Sequence, residues 1–243
     1  MDAEKHEIAE RLAGHIASAS AYRSRENEDA EWKRDRHALR AWQSARLART
    51  HQDLLASERY QPAAAFFLEE LYGPKDFGER DTALERVQPM LSRFLPRSAL
   101  ETICKAIELD ALSESLDAAM VDALRAAGKA TAIDESAYAA AYRTVGQRRQ
   151  RNRQIALIRQ VGEPLDELTH HPMIRGMLRL MGGPARAVGL GALHAFLVHG
   201  FEAFAHMQGA DEFLERIVSR EQALSDRLLN GETEPFGPQN PSA

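Results

Sequence analysis

Apolar residues recur along nearly the whole chain at intervals of three and four, and no stretch alternates residue by residue, so the pattern is helical throughout. Ile8, Leu12 and Ile16 mark a short first helix. Trp32, Leu39, Trp42 and Leu54 mark a long second one, from about residue 26 to residue 56. Next comes Phe66-Phe67-Leu68-Glu69-Glu70-Leu71-Tyr72, entered through Gln61-Pro62 and ended by Gly73-Pro74. A proline in the first turn and a Gly-Pro stop bound one short helix. On a helical wheel Ala63, Phe67 and Leu71 share a face that Ala64, Leu68 and Tyr72 widen, while Phe66 falls between Glu69 and Glu70. A helix apolar almost all round belongs in a core. Glu69 and Glu70 are therefore expected to be partly buried and to need cationic partners.

Asp76 with Glu79 three residues on is a capping-box pattern. It opens a helix with Leu84, Val87, Leu91 and Phe94 on one face, bent at Pro89. Pro96 ends that element, and Ser98 with Glu101 repeats the capping pattern. Ile103, Ile107, Leu112, Leu116, Met120 and Leu124 then stripe a long helix that Gly128 closes. Another helix spans about residues 135 to 160, and Gly162-Glu163-Pro164 is a break. Two short helices flank His171-Pro172 and end at Gly182-Gly183-Pro184; helices over 185–207 and 211–229 complete the chain. In the 185–207 helix, Gly189, Ala192, Gly200 and Ala203 admit a close neighbour, and Gly189, Gly191 and Gly200 could alternatively make room for a ligand. The expected architecture is all-α: a multi-helix bundle of about eight to ten helices with no β-sheet. Residues 1–231 form a single all-helical domain, and the Pro- and Gly-rich residues 232–243 form a disordered tail.

At 243 residues and 44% hydrophobic the chain can bury a full core. A net charge of -5 argues against a general polyanion binder. Cys104 is the lone cysteine, which excludes an intrachain disulfide and suits a reducing, cytoplasmic compartment. Its place on an amphipathic helix reads as core packing rather than thiol chemistry. The charged start, Met1 to Glu7, lacks the apolar core of a signal peptide. The most apolar region, around 188–204, is interrupted by His194, His199 and Glu202, so no membrane partner is expected.

Three groupings carry possible chemistry. Six arginines (Arg143, Arg148, Arg149, Arg151, Arg153, Arg159) stand between residues 143 and 159 without an acid before Glu163. Because Asp110, Glu114 and Asp117 stripe the preceding long helix, opposite charges are expected to face each other there. An apolar seam of Tyr138, Ala141, Tyr142 and Val145 runs on into Arg149, which Glu69 or Glu70 would neutralise. A nucleic-acid stripe is the less favoured reading of the same arginines, since no aromatics are interleaved. The second grouping is His199, Glu202 and His206 on one helix face, with Glu167 and His170 in a Glu-x-x-His spacing. Such spacings serve metals in helical bundles, although di-iron sites need two Glu-x-x-His motifs and further glutamates. His194 reads as a core histidine. The third is Glu69, Glu70, Tyr72, Arg80 and Asp81, which would resemble an acid–base pocket if brought together.

The string from Phe66 to Tyr72 resembles the motif that names the "FFLEELY motif" proteins, an uncharacterised bacterial family. Tyr60-Gln61-Pro62 before it, Leu71 to Phe77 across its end, Arg80-Asp81, Gly200 to Phe204 and Phe213 to Glu221 are similar as well. The resemblance runs over most of residues 26–230 and implies a bacterial cytoplasmic setting, with no catalytic residues to carry over. The leading expectation is a non-catalytic scaffold or regulatory protein that meets a protein partner or a second copy through exposed helix faces. The alternative is a metal- or small-ligand-binding helical protein, for example an oxidoreductase, using the His199/Glu202/His206 face. Nothing in the residues fixes an enzymatic reaction or a cofactor.

Overall fold

The computed structural model describes residues 3–71, Val87 and 96–237. Among them every regular element is helical, as the periodicity requires. The helices are α1 (Ala3–Glu28), α2 (Ala30–Thr50), α3 (Gln52–Ala56), α4 (Gln61–Phe66) running into a π-turn (Phe67–Leu71), α5 (Arg97–Ala126), α6 (Glu135–Val145), α7 (Arg148–Thr169), α8 (Pro172–Ala187), α9 (Gly191–Met207) and α10 (Asp211–Asn230). The expected helix after Asp76, with its Asp76/Glu79 cap, the bend at Pro89 and the apolar residues Leu84, Leu91 and Phe94, lies outside the described residues.

Several boundaries differ from the periodic reading, each for a local reason. The expected 26–56 helix is broken by Asp29, whose carboxylate accepts from the backbone N–H groups of Glu31 and Trp32 at 3.0 and 2.9 Å and so starts a new helix. The 135–160 helix is two, because Gly146 (φ 61°) and Gln147 (φ 53°) are both left-handed. Gly162-Glu163-Pro164 does not interrupt α7, and Gly182-Gly183-Pro184 lies inside α8. Each proline gives up its own backbone bond to the residue four before it, and the helix continues for five residues beyond Pro164 and three beyond Pro184. At the start of α5 no side chain caps; the Ser98 carbonyl accepts from Thr102 Oγ1 at 3.1 Å.

Three apolar clusters hold the helices. Trp32, Leu39, Met120, Leu124, Tyr138, Tyr142, Leu224 and Leu228 join α2, α5, α6 and α10. Trp42 stacks on Tyr138 with ring centres 4.1 Å apart, and Phe236 closes over both. Tyr60, Phe66, Ile158, Phe204, Phe213 and Leu214 join α4, α7, α9 and α10. Ile8, Leu12 and Ile16 of α1 pack on Leu100 and Cys104 of α5, where burial pushes the Cys104 thiol up.

α2 departs from an apolar stripe. Its buried side carries Asp35, Arg36, Arg40, Gln43 and Arg46 among Trp32, Leu39 and Leu47. Glu114 of α5, 1% exposed, receives Arg36 and also Arg40 at 2.6 Å, and Arg36 reaches Glu26 as well. Asp117 accepts from Gln43 at 3.0 Å. Arg46 donates to both oxygens of Glu221 on α10 at 2.6 and 2.7 Å. Removing one member of such a network strands buried charge. Glu114→Ala is expected to lower unfolding free energy by about 3–5 kcal/mol in urea denaturation; a loss below about 1 kcal/mol, the range of exposed pairs, would show that the network contributes nothing.

Candidate functional site

A chamber of about 420 Å³ lies among α5, α7 and α9. α5 lines it with Ala99, Thr102, Ile103, Ala106, Leu109, Ser113 and Asp117, and α7 with Arg151, Gln154, Ile155, Ile158, Leu165 and Leu168. These spacings of three and four place each set on one helix face. At 1.5 Å per residue the α5 set spans about 27 Å, so the chamber is long and narrow. Its ends differ in chemistry. One is made by Phe66, Phe67, Leu165, Phe196 and Leu197, and it reaches the surface at Leu168 and Leu197, which are partly exposed. The other is made by Arg40, Gln43 and Arg46 of α2, Asp117, Tyr142, Arg151, and Glu221 and Ser225 of α10.

Two glycines set the walls. A Cβ on Gly162 would stand 2.5 Å from a methyl of Leu214, so any larger residue there would force that buried side chain to move. A Cβ on Gly200 would meet the Phe66 ring at 2.9 Å, and Gly200 itself lines the chamber. Packing and room for a ligand, the two readings of this glycine, thus meet at one position.

Arg151 dominates the polar end. It is 5% exposed, and its guanidinium lies over the Tyr142 ring, 4.0 Å from the centroid. Its Nε and Nη2 are buried without a hydrogen-bond partner among the described residues. Tyr142 donates to Ser225 at 2.9 Å, and burial pushes the phenol up. The left-handed pair Gly146-Gln147 ends α6 and starts α7, which turns Arg151 inward beside Tyr142.

Three other arginines of this run, Arg148, Arg153 and Arg159, are absorbed by acids. Arg153 makes a bidentate pair with Glu108 at 2.6 and 2.7 Å, and these hydrogen bonds, with the positive charge behind them, hold that carboxyl below the usual range. Arg148 meets Asp226, and Arg159 meets Glu215 and Glu163. The expected facing of Asp110, Glu114 and Asp117 against these arginines is corrected: Glu114 and Asp117 are taken by Arg36, Arg40 and Gln43 of α2, while Asp110 lines the chamber. Arg149 is exposed, and the seam arginine is Arg151 two residues on.

Glu69 is also exposed, against the expectation of burial, and Phe66 rather than its neighbour is the fully buried ring. For Glu69 the physical reason is the π-turn at Phe67–Leu71, whose wider turn moves later residues off a wheel drawn at 3.6 per turn; Phe66 precedes it, in α4 with the buried Ala63 and Ala64. The Glu70 side chain, Tyr72, Arg80 and Asp81 lie outside the described residues, so no acid–base pocket is assembled from them here. Of the histidine set, His199, Glu202 and His206 share the outer side of α9 and are exposed. His206 Nε2 donates to the Glu58 carbonyl at 3.1 Å, and His199 meets the Phe66 ring edge-on. Glu167 and His170 stand at the end of α7, with His170 Nδ1 donating to the Asp166 carbonyl at 2.8 Å. Among the described residues no group of three His, Cys, Asp or Glu side chains is placed to hold a metal ion.

Sequence reasoning missed Arg36, Arg40, Arg46 and Glu221. A signal was present: Arg36, Arg40 and Gln43 follow Trp32 at the spacing that would normally be filled by apolar residues.

Residues 22–235 match the family described as a domain of unknown function, DUF8198. The chain belongs to that family. No curated protein matches it, and no solved structure does. In this DUF8198 chain no helix among the described residues is long and apolar enough to cross a membrane.

Glu221 gives the DUF8198 fold a pH dependence. Burial alone would raise its carboxyl, but Arg46 and a bond from His51 at 3.1 Å outweigh that and hold it at about 2 instead of 4.5. A depressed carboxyl stabilises the fold fully above its unfolded value, and that contribution is lost as pH falls through the folded one. Acid titration followed by circular dichroism should show stability falling from about 4.5 toward about 2, and Glu221→Gln should flatten that slope. An unchanged slope in the variant would assign the acid transition to other groups.

Proposed function

We propose that this protein binds a small, elongated, largely apolar molecule inside the chamber between α5, α7 and α9. The observation that carries the reading is the chamber itself, about 420 Å³ and walled mainly by aliphatic and aromatic side chains. Native interiors rarely leave voids larger than a water molecule, whereas small-molecule sites occupy about 300–1,000 Å³. Because the chamber opens to the surface, water can enter it, and its apolar walls would then stay hydrated. An apolar occupant removes that cost. The bacterial cytoplasmic setting implied by the FFLEELY resemblance belongs to the same proposal.

The neutral fluorophore N-phenylnaphthylamine tests it. Saturable one-to-one binding is expected, and Ala106→Phe, which projects a ring from the middle of the α5 wall, should abolish it while leaving helicity intact. Absence of saturable binding, or binding indifferent to Ala106→Phe, would overturn the reading.

A second reading, the interaction scaffold, is favoured by one surface. Met173 and Leu180 of α8 are 83% and 80% exposed, with Met177 and Met181 exposed beside them. A face of this kind suits a second copy of the chain. Sedimentation should then show concentration-dependent dimerisation that Met177→Glu removes; a monomer at all concentrations rejects it.

A further inference from the structure

Resting on the chamber reading, we infer that the occupant is a single-chain amphiphile with a carboxylate head, whose head is bound by Arg151 and whose tail runs toward Phe66 and Phe196. The long apolar section fits an extended chain rather than a compact ring system. The polar end supplies the head-group site. Its other charges are already matched: Asp117 by Gln43 and Arg40, and Glu221 by Arg46 and His51. Asp110 also lines the chamber, between Leu109 and Ser113 on α5. Arg151 differs from these groups in having two buried nitrogens with no acceptor.

The two nitrogens are informative in themselves. Nε and Nη2 form one edge of the guanidinium fork, the edge that engages a carboxylate through two parallel hydrogen bonds. The plane of the fork is fixed by stacking on Tyr142, which offsets part of the desolvation through the ring but offers no acceptor within that plane. A buried cation without an acceptor is strongly unfavourable. A carboxylate arriving with the ligand completes the pair, and Arg suits this role where Lys, a point charge, does not.

Competition against bound N-phenylnaphthylamine separates the two levels of the argument. Dodecanoate is expected to displace the probe more tightly than dodecanol. Arg151→Gln should weaken dodecanoate at least about tenfold, the loss of a charged hydrogen-bonded pair, and leave dodecanol unchanged. Unchanged dodecanol binding also reports that the variant is folded and its chamber intact. Arg151→Lys should recover only part of the preference. If wild-type protein binds acid and alcohol equally, or if Arg151→Gln weakens both alike, the head-group inference falls while the chamber reading stands. If the probe does not bind wild-type protein at all, it is the chamber reading that fails.

Discussion

Three arginines of α2 turned into the protein are the constraint from which the rest follows. A helix carrying Arg36, Arg40 and Arg46 on its inner side can be buried only if acids meet them, and Glu114 and Glu221 do so from α5 and α10. The contacts are directional, unlike apolar packing, so they set the spacing of three helices as well as holding them. α2 therefore acts as a bracket across one end of the bundle. At that end the helices cannot slide together to close the space between them without breaking charge-assisted bonds.

This explains how an open chamber coexists with a well-packed remainder. Trp32, Leu39, Leu124, Tyr138 and Leu228 fill the region around the bracket, and Phe204, Phe213 and Leu214 fill the region beside α9. Among the larger residues that line the chamber, several positions on α5 and α9 are small or short: Ala99, Ala106, Ser113 and Gly200. Large residues at such positions would restore density. The chamber is thus written into side-chain size on two helices and into charge on a third.

Much of the architecture was legible from periodicity alone, because helices declare themselves through one apolar stripe each. What was not legible has identifiable causes. The wheel placed Phe67, Leu71 and the glutamates on the assumption of constant pitch, and the π-turn invalidates it from Phe67 onward. Gly162 and Pro164 read as a break, yet the glycine serves close packing under Leu214. Arginines at core-facing positions of α2 look like a solvated face to any argument that counts only apolar residues. The arginine run after Arg143 was visible, but which member turns inward depends on the two left-handed residues before it, and one of those is a glutamine with no strong signal for that conformation.

Arg151 and Arg153 make the comparison that matters most for function. They lie two residues apart on α7, and α5 offers Glu108 to Arg153 with both oxygens engaged. Opposite this same wall, Gln154 receives nothing stronger than the hydroxyl of Ser113 at 2.8 Å, and Arg151 receives no acid. The fold can therefore supply carboxylates to α7 and does so two residues along from the chamber's cationic end. Replacing an unmatched buried arginine by a leucine or methionine would ordinarily raise stability. A charge kept against that gradient, flat against an aromatic ring and with no acceptor for its double-donor edge among the described residues, is what the proposed carboxylate head would complete.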